Sequence, residues 1–280
     1  MIETWQELLN NNSSTRPIAV GGWPRGGTTY AYRNLCNYID GWQLEEYFHL
    51  YYEFRTLESG EIIIDKPAID VKKRAPWQYH INKNGSNEHR VATCLKRYHA
   101  VRDTNPWNRV FIKVLPLHAR DLYQGDPRAF RDLCSSHHWI FVLRRDYINM
   151  TLSNLYSNHF NHFHYYDDTP LRRGKIVGSL DELNTVYKNT WEWLKHMYTA
   201  SGGEAQFVYA EDFAESLAEP TLRFTHAPLP RFDRDKPQLF REVFQNYDEL
   251  VEHMQKVFKQ VEQETDGFFT FTDKEVEVNT

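Results

Sequence analysis

The sequence predicts a three-layer α/β/α fold, in which a central and mostly parallel sheet lies between helices on both faces. Short apolar runs alternate along the chain with longer helix-forming segments, and strands separated by helices are typical of a parallel sheet with crossover connections. The 280 residues, 41% hydrophobic and 25% charged, suit a single domain over 1–280 with a sizeable core.

The strands are predicted from short runs rich in apolar, β-branched and aromatic residues. The clearest of these runs are Ile-Ala-Val, Val-Phe-Ile-Lys-Val and Trp-Ile-Phe-Val-Leu. The predicted strands are 18–20, 61–65, 109–115, 138–143 and 206–209, and we expect 206–209 to be the last of them.

The helices are predicted between and beyond these runs. One follows a glycine-rich turn at 28, one at 45 is rich in aromatic residues, and the one that begins at 237 is long and amphipathic. The predicted helices are 5–11, 28–38, 45–54, 88–102, 129–137, 147–162, 180–200 and 237–264. No repeat, low-complexity tract or linker interrupts the sequence, which favours one domain.

Composition and charge exclude several classes of function. The net charge of −5 argues against a general nucleic-acid binder, whose surface would be basic. Cys36, Cys94 and Cys134 have no metal-binding or redox spacing, so we expect reduced thiols. The first residues lack a signal-peptide pattern, and no apolar run is long enough to span a membrane. The sequence therefore predicts a cytoplasmic protein without a membrane span or a nucleic-acid partner.

The most informative segment runs from Pro17 to Thr29, with the sequence PIAVGGWPRGGTT. A strand that ends in a glycine loop and opens a helix is suited to binding phosphate, because the loop amides and the helix dipole both favour an anion. The spacing from Gly22 to Gly27 nearly matches a Walker A loop, but Thr28 stands where that loop has lysine. Without the lysine, the loop still suits an anion but is poorly equipped to move a γ-phosphate.

A second anion site is predicted after the strand 138–143. Arg145 follows the strand directly, and Ser153 lies eight residues later on the next helix. Ligands of open α/β sheets bind at the carboxyl ends of the strands. An arginine and a hydroxyl that converge there are suited to a terminal phosphate.

Three segments resemble the PAPS-dependent sulfotransferases, which use 3′-phosphoadenosine 5′-phosphosulfate as donor. The segment PRGGTT at 24–29 resembles their 5′-phosphosulfate loop, although the family usually has serine where Gly26 stands. Arg145 and Ser153 resemble their 3′-phosphate motif, which usually has proline at 147 and often arginine at 150, where this chain has tyrosine and methionine. The segment FIKVLP at 111–116 is similar to the family strand that carries a lysine. With the strand and turn at 207–213, the resemblance covers about 17–220.

The resemblance implies a P-loop NTPase-like sulfotransferase fold and transfer of the sulfonate from PAPS to a hydroxyl or amine. The acceptor would be a small molecule, a saccharide or a peptide, adenosine 3′,5′-bisphosphate would be released, and no metal would be required. The donor-binding residues that it implies are Arg25, Gly26, Gly27, Thr28, Thr29, Arg145 and Ser153. Lys113 would support the sulfonate and the bridging oxygen as the bond breaks.

Sulfonyl transfer also needs a base for the acceptor. We favour Glu46, which lies 21 positions after Arg25, near where the tyrosylprotein-type members of the family have a catalytic glutamate. The alternatives are Glu45, His49 and His118.

Other interpretations of the chain remain open. The histidine-rich run at 159–164 lacks convincing metal-ligand spacing, so we expect its rings to line the acceptor cleft or to cover a helix surface. A P-loop small-molecule kinase would need Mg²⁺ and the absent Walker lysine. A non-catalytic nucleotide-binding protein is the other alternative.

Overall fold

The computed structural model describes residues 16–38, 41–43, 54–56, 62–64, 88, 91–92, 95–96, 98–99, 102, 109–160, 174–212, 236–272 and 275–280. The described strands are β1 (Ile18–Gly22), β2 (Gly41–Gln43), β3 (Phe54–Thr56), β4 (Ile62–Ile64), β5 (Arg109–Val114), β6 (His138–Leu143), β7 (Gln206–Tyr209), β8 (Phe269–Phe271) and β9 (Val276–Val278). The helices are α1 (Thr28–Tyr38), α2 (Pro116–Gly125), α3 (Pro127–Ser136), α4 (Tyr147–Phe160), α5 (Leu180–Glu182), α6 (Lys188–Ala200), α7 (Lys236–Val243) and α8 (Tyr247–Glu264). A π-helical turn, Leu183–Tyr187, joins α5 to α6.

The main sheet has five strands in the order β2-β5-β1-β6-β7. Every neighbouring pair in this sheet is parallel, which confirms the predicted parallel sheet. The strands β3 and β4 pair antiparallel in one small sheet, and β8 and β9 pair antiparallel in another. The central strand β1 has both of its edges paired, so its backbone is fully enclosed by β5 and β6.

Helices pack on both faces of this sheet. On one face, Ile18 and Val20 of β1 pack in a cluster with Ala31, Tyr32 and Leu35 of α1. The opposite face carries a larger cluster that α2, α3, α6 and α8 complete with Leu122, Phe130, Leu133, Trp191, Leu194, Met254 and Phe258. Alternate residues of β1, β5, β6 and β7 belong to opposite clusters, as the period of a strand requires. The α/β/α layering is therefore present in the described part of the chain.

Most predicted elements agree with the structure, but some helices differ. The predicted strands at 138–143 and 206–209 and the helix at 28–38 have the expected bounds. The predicted helix 45–54 is wrong at its last residue, because Phe54 belongs to β3, and its other positions lie outside the described residues. The helix predicted at 5–11 also lies outside them.

The predicted C-terminal helix 237–264 is in fact two helices, α7 and α8. The segment around Ile176 and Gly178 interrupts it through backbone pairing: Ile176 N–H donates to Val243 at 2.9 Å, and Gln245 N–H donates to Ile176 at 2.8 Å. The amide of Asn246 completes the interruption, because it accepts from Gly178 N–H at 2.8 Å and donates to Gly178 C=O at 3.1 Å. These contacts come from a segment far away in the sequence, so local periodicity does not reveal them.

Three further elements were not predicted from the sequence. Helix α2 begins at Pro116, where proline is tolerated because its missing N–H falls in the first turn. Strand β2 has three residues, which is too short for a periodic signal. The hairpin β8–β9 follows β7, so 206–209 is not the last strand. Among the described helices, none is both long and apolar enough to cross a membrane.

Gly22 at the end of β1 offers a direct test of this architecture. Its φ is +147°, and a Cβ at this position would lie 2.2 Å from the Val142 carbonyl oxygen of β6. We expect Gly22→Ala to lower the free energy of unfolding by about 3 kcal/mol or more, since the strained φ alone costs about 1–3 kcal/mol.

Gly202→Ala is the matched control for this test. Gly202 also has a positive φ, +81°, but a Cβ there would meet nothing within 4 Å. We expect it to lose about 1 kcal/mol, from the backbone conformation alone. Urea denaturation of both variants measures the difference, and equal losses would show that β1 and β6 are not so closely apposed.

Candidate functional site

The order in which the strands are added to the main sheet changes direction at β1. The chain leaves β1 and forms β2 and β5 on one side of it, then crosses to form β6 and β7 on the other. Such a switch point opens a crevice at the carboxyl ends of the strands, where ligands of α/β sheets bind. The polar residues that follow β1, β5, β6 and β7 therefore meet at one edge.

The loop from β1 to α1 is a tight turn with positive backbone angles. The φ angles are +68° at Arg25 and +88° at Gly27. Gly26 N–H donates to Trp23 C=O at 2.9 Å, and a Cβ at Gly26 would lie 2.9 Å from that same oxygen. The serine that the sulfotransferase loop usually has at 26 would not fit this turn unless the turn moved, which gives a local reason for the glycine.

Trp23 anchors the start of this loop in the core. Its side chain is fully buried, and it stacks on Tyr187 at 5.4 Å and lies 4.9 Å from Trp191, measured between ring centroids. Tyr187 is the last residue of the π-helical turn Leu183–Tyr187, so this turn packs against the start of the loop. The loop thus starts from a fixed point rather than from a mobile surface residue.

The first turn of α1 faces this loop. Thr28 is 4% exposed, and no acidic residue occupies the first turn of the helix. The first N–H groups of a helix have no partner within the helix, and they carry the positive end of its dipole. The start of α1 is therefore suited to an anion, as the sequence predicted.

Lys113 of β5 meets the start of α1. It is 2% exposed, and its Nζ donates to Thr29 Oγ1 at 2.7 Å. In the parallel pairing of β1 with β5, Lys113 is opposite Val20, and it shares the α1-facing side of β5 with Phe111. A nearly buried ammonium has a large desolvation cost, so its position beside the loop is unusual for a lysine without a function.

Arg25 and Ser153 come together across the crevice. The Arg25 Nε donates to Ser153 Oγ at 3.4 Å, and Ser153 lies on α4 with 2% of its surface exposed. Met150, one turn earlier on α4, packs beneath the loop, since its Sδ would be 3.4 Å from a Cβ at Gly26. The structure thus brings together the loop and the serine of the second predicted anion site, and it buries the methionine where the family often has arginine.

Arg145, which was predicted to bind a terminal phosphate together with Ser153, is paired with a carboxylate in the structure. Its guanidinium donates to both carboxylate oxygens of Asp212, at 2.5 and 2.8 Å, and stacks over the Tyr209 ring, 4.1 Å from the ring centroid. The hydrogen bonds to Asp212 raise the pKa of Arg145 above its ordinary value. The side chain of Arg145 is thus held by Asp212, in the segment that follows β7, and by Tyr209 of β7.

Two acidic residues of this edge, Glu211 and Asp212, were missed by the sequence reasoning. Glu211 Oε1 lies 3.5 Å from Arg144 Nε, and its Oε2 accepts from Arg145 N–H at 3.3 Å. Burial raises the pKa of the Glu211 carboxyl, and the two arginines only partly offset this. A signal was present: β6 is followed by two arginines and its neighbour β7 is soon followed by two carboxylates, and such ends meet in a parallel sheet.

The candidate bases fall in two groups. Glu46, Glu45 and His49 lie outside the described residues. His118 is 2% exposed, and its Nδ1 accepts from Leu115 N–H at 3.3 Å, which caps α2. A neutral imidazole that accepts at Nδ1 carries its proton on Nε2, so in this arrangement His118 is a hydrogen-bond donor at its other nitrogen and is poorly prepared to act as a base.

The histidine-rich run is only partly described. His159 is exposed and lies edge-on to Phe160, with the ring centroids 4.8 Å apart, whereas 161–173 lie outside the described residues. Within the described part of the chain, no group of three or more His, Cys, Asp or Glu side chains could hold a metal ion.

The arrangement places two cations and two hydroxyls around one glycine loop. Arg25 and Ser153 lie on one side of the loop, and Lys113 and Thr29 lie on the other. Such a set can bind a phosphate or sulfate ester and stabilise negative charge on it. A comparison of the chain with protein-family models and with curated proteins finds no match, so function is inferred from this chemistry.

The backbone at Arg25 gives a test of whether this loop stores strain. We expect Arg25→Gly to be more stable to urea than Arg25→Ala by about 0.5–1 kcal/mol. The left-handed conformation costs alanine about 1–2 kcal/mol, and this cost is larger than the stability that glycine loses through the greater entropy of its unfolded state. A glycine variant that is less stable than the alanine variant would contradict the positive φ.

Proposed function

We propose that the protein is a PAPS-dependent sulfotransferase with a P-loop NTPase-like sulfotransferase fold. It would move the sulfonate group from PAPS to a hydroxyl or amine of a small molecule, a saccharide or a peptide. The observation that carries the proposal is the placement of the buried Lys113 ammonium 2.7 Å from Thr29, at the loop that lacks the Walker lysine. The resemblance of the three sequence segments supports the same assignment.

The donor would bind with its 5′-phosphosulfate on the loop. Arg25, the amides of Gly26 and Gly27, and the hydroxyls of Thr28 and Thr29 supply hydrogen-bond donors for this group. The 3′-phosphate would be bound by Ser153 and by Arg145. Because Arg145 is paired with Asp212, its guanidinium would have to exchange or share that carboxylate when the phosphate binds.

The reaction would be an in-line displacement at sulfur. Glu46 would accept the proton of the acceptor hydroxyl, and the acceptor oxygen would form a bond to sulfur. The bond between sulfur and the bridging oxygen would break, and its electron pair would go to the phosphate of the leaving adenosine 3′,5′-bisphosphate. Lys113 would stabilise the charge that develops on that oxygen, where its burial strengthens the electrostatic effect.

Two competing functions make different demands on the site. A small-molecule kinase would place a lysine at position 28, where this chain has threonine, and would use Mg²⁺. A non-catalytic nucleotide-binding protein would use the nearly buried Lys113 only to bind the anion, so turnover of PAPS distinguishes it from the enzyme.

Ligand-induced stabilisation tests the proposed donor. We expect adenosine 3′,5′-bisphosphate to raise the melting temperature without Mg²⁺, and 5′-AMP to raise it much less, since only the former has a phosphate for Ser153 and Arg145.

Arg25→Ala should weaken binding of the bisphosphate by about 2–4 kcal/mol, the scale for one member of a buried charge-assisted contact. A response to ATP that requires Mg²⁺ would favour the kinase instead.

Catalysis can be separated from binding at Glu46. We expect Glu46→Gln to leave donor affinity nearly unchanged and to lower turnover of PAPS about 10²–10⁴-fold, the usual range for a lost general base. Lys113→Met should lower turnover and also weaken donor binding, because the lysine contacts the donor in its ground state. The assay is the transfer of the sulfonate from PAPS to water, which needs no identified acceptor. If Glu46→Gln is fully active, another residue must be the base.

A further inference from the structure

The guanidinium of Arg145 lies between two groups that fix it in different ways. Its face rests on the Tyr209 ring at 4.1 Å, and its two terminal nitrogens donate to the two carboxylate oxygens of Asp212. The Tyr209 ring is itself held, because its hydroxyl donates to the Val276 carbonyl at 2.6 Å. The stacking contact would remain if the carboxylate moved away, so the arginine can change partner without losing its position.

The backbone around Arg145 is also held firmly. The Arg145 carbonyl accepts from Tyr147 N–H at 2.8 Å and from Val276 N–H at 3.3 Å, and Tyr147 OH donates to Thr272 C=O at 2.9 Å. The C-terminal hairpin thus holds the main chain at the end of β6. A change of partner at Arg145 would therefore require a movement of the Asp212 side chain and not of the arginine backbone.

The pair of Arg145 and Asp212 remains accessible from solvent. Their side chains are 31% and 41% exposed, so a ligand can reach both. Phosphate oxygens and carboxylate oxygens bind the same fork of guanidinium nitrogens. While Asp212 occupies both nitrogens, a phosphate at the same place would meet a negative charge instead of an available donor pair.

We propose that Asp212 is an internal competitor of the ligand's 3′-phosphate for Arg145. When the site is empty, the carboxylate occupies the guanidinium; when a 3′-phosphorylated nucleotide binds, the phosphate displaces it; and the return of the carboxylate promotes release of the bisphosphate product. This role rests on the proposed function. It concerns one end of the nucleotide only, so a ligand without the 3′-phosphate leaves the pair intact.

Calorimetric titration of adenosine 3′,5′-bisphosphate and of 5′-AMP tests the competition. We expect Asp212→Asn, which removes the charge and keeps an oxygen acceptor, to bind the bisphosphate about three- to tenfold more tightly, the scale for relief of one exposed charge pair. Stopped-flow displacement should show slower release of the bisphosphate from this variant. The affinity for 5′-AMP should change less than about twofold, because that ligand does not displace the carboxylate.

Two further variants complete the experiment. Asp266→Asn is the control for net charge, because it removes the same charge from an exposed residue after α8 that is paired with Lys195. We expect this variant to leave both affinities unchanged. Asp212→Ser also removes the carboxylate but puts a smaller side chain in its place. It should change the affinity for the bisphosphate in the same direction as Asp212→Asn. Both Asp212 variants are compared only after thermal denaturation shows a cooperative transition.

The outcomes separate this role from the proposed function. If the wild-type protein does not prefer the bisphosphate over 5′-AMP, the assignment of Arg145 to a 3′-phosphate is wrong, and with it the competition. If the preference exists and Asp212→Asn binds the bisphosphate as the wild type does, only the competition is wrong. Weaker binding by both Asp212 variants would instead make Asp212 a residue that positions Arg145.

Discussion

The close approach of β1 to β6 at Gly22 is the constraint on which the candidate site depends. A Cβ at Gly22 would lie only 2.2 Å from the Val142 oxygen, so there is no room for a side chain. The backbone of β1 therefore lies directly against β6 at this point, and the chain leaves the sheet with a positive φ. Trp23 then enters the aromatic core beside Tyr187, and the chain has only four residues to reach the start of α1 at Thr28. The tightness of the turn follows from these two fixed ends, and it is what brings Arg25 against α4 and the first turn of α1 against Lys113.

The parallel sheet determines where the charged residues gather. All five strands point the same way, so their carboxyl ends lie at one edge, whereas most side chains within β1, β5, β6 and β7 are apolar and buried. Charges at such an edge are partly desolvated, and each is therefore found with a partner: Lys113 with Thr29, and Arg145 with Asp212. The same burial that makes these cations costly also makes them effective toward an anion, because the surrounding medium screens them weakly.

Much of the fold and part of the candidate site could be predicted from the sequence. Whether an element was predicted depended on whether local sequence features mark it. The strands 138–143 and 206–209 and the helix 28–38 were predicted correctly because apolar runs and a glycine turn mark them locally. The break between α7 and α8 was missed because Asn246 and the 176–178 segment create it from a distance. In the site, Arg25 contacts Ser153 and Lys113 contacts Thr29, whereas the sequence analysis had grouped Ser153 with Arg145. The partner of Arg145 was missed because the charged residues after β6 and β7 are visible in the sequence, but the pairing of these two strands is not.

The two cationic positions at this edge differ in a way that suits the two ends of a nucleotide donor. Lys113 is 2% exposed and donates to the Thr29 hydroxyl, a contact that orients the ammonium toward the start of α1. Arg145 is 31% exposed and donates to a carboxylate, which offsets its charge. A buried and oriented cation is most useful where negative charge develops during a reaction, because it needs no reorganisation at that moment. An exposed and exchangeable pair is most useful where a ligand must bind and then leave, because the carboxylate replaces the contacts that the departing phosphate gives up. Under the proposed function, these two positions would therefore hold a donor firmly at its reacting end and reversibly at its other end.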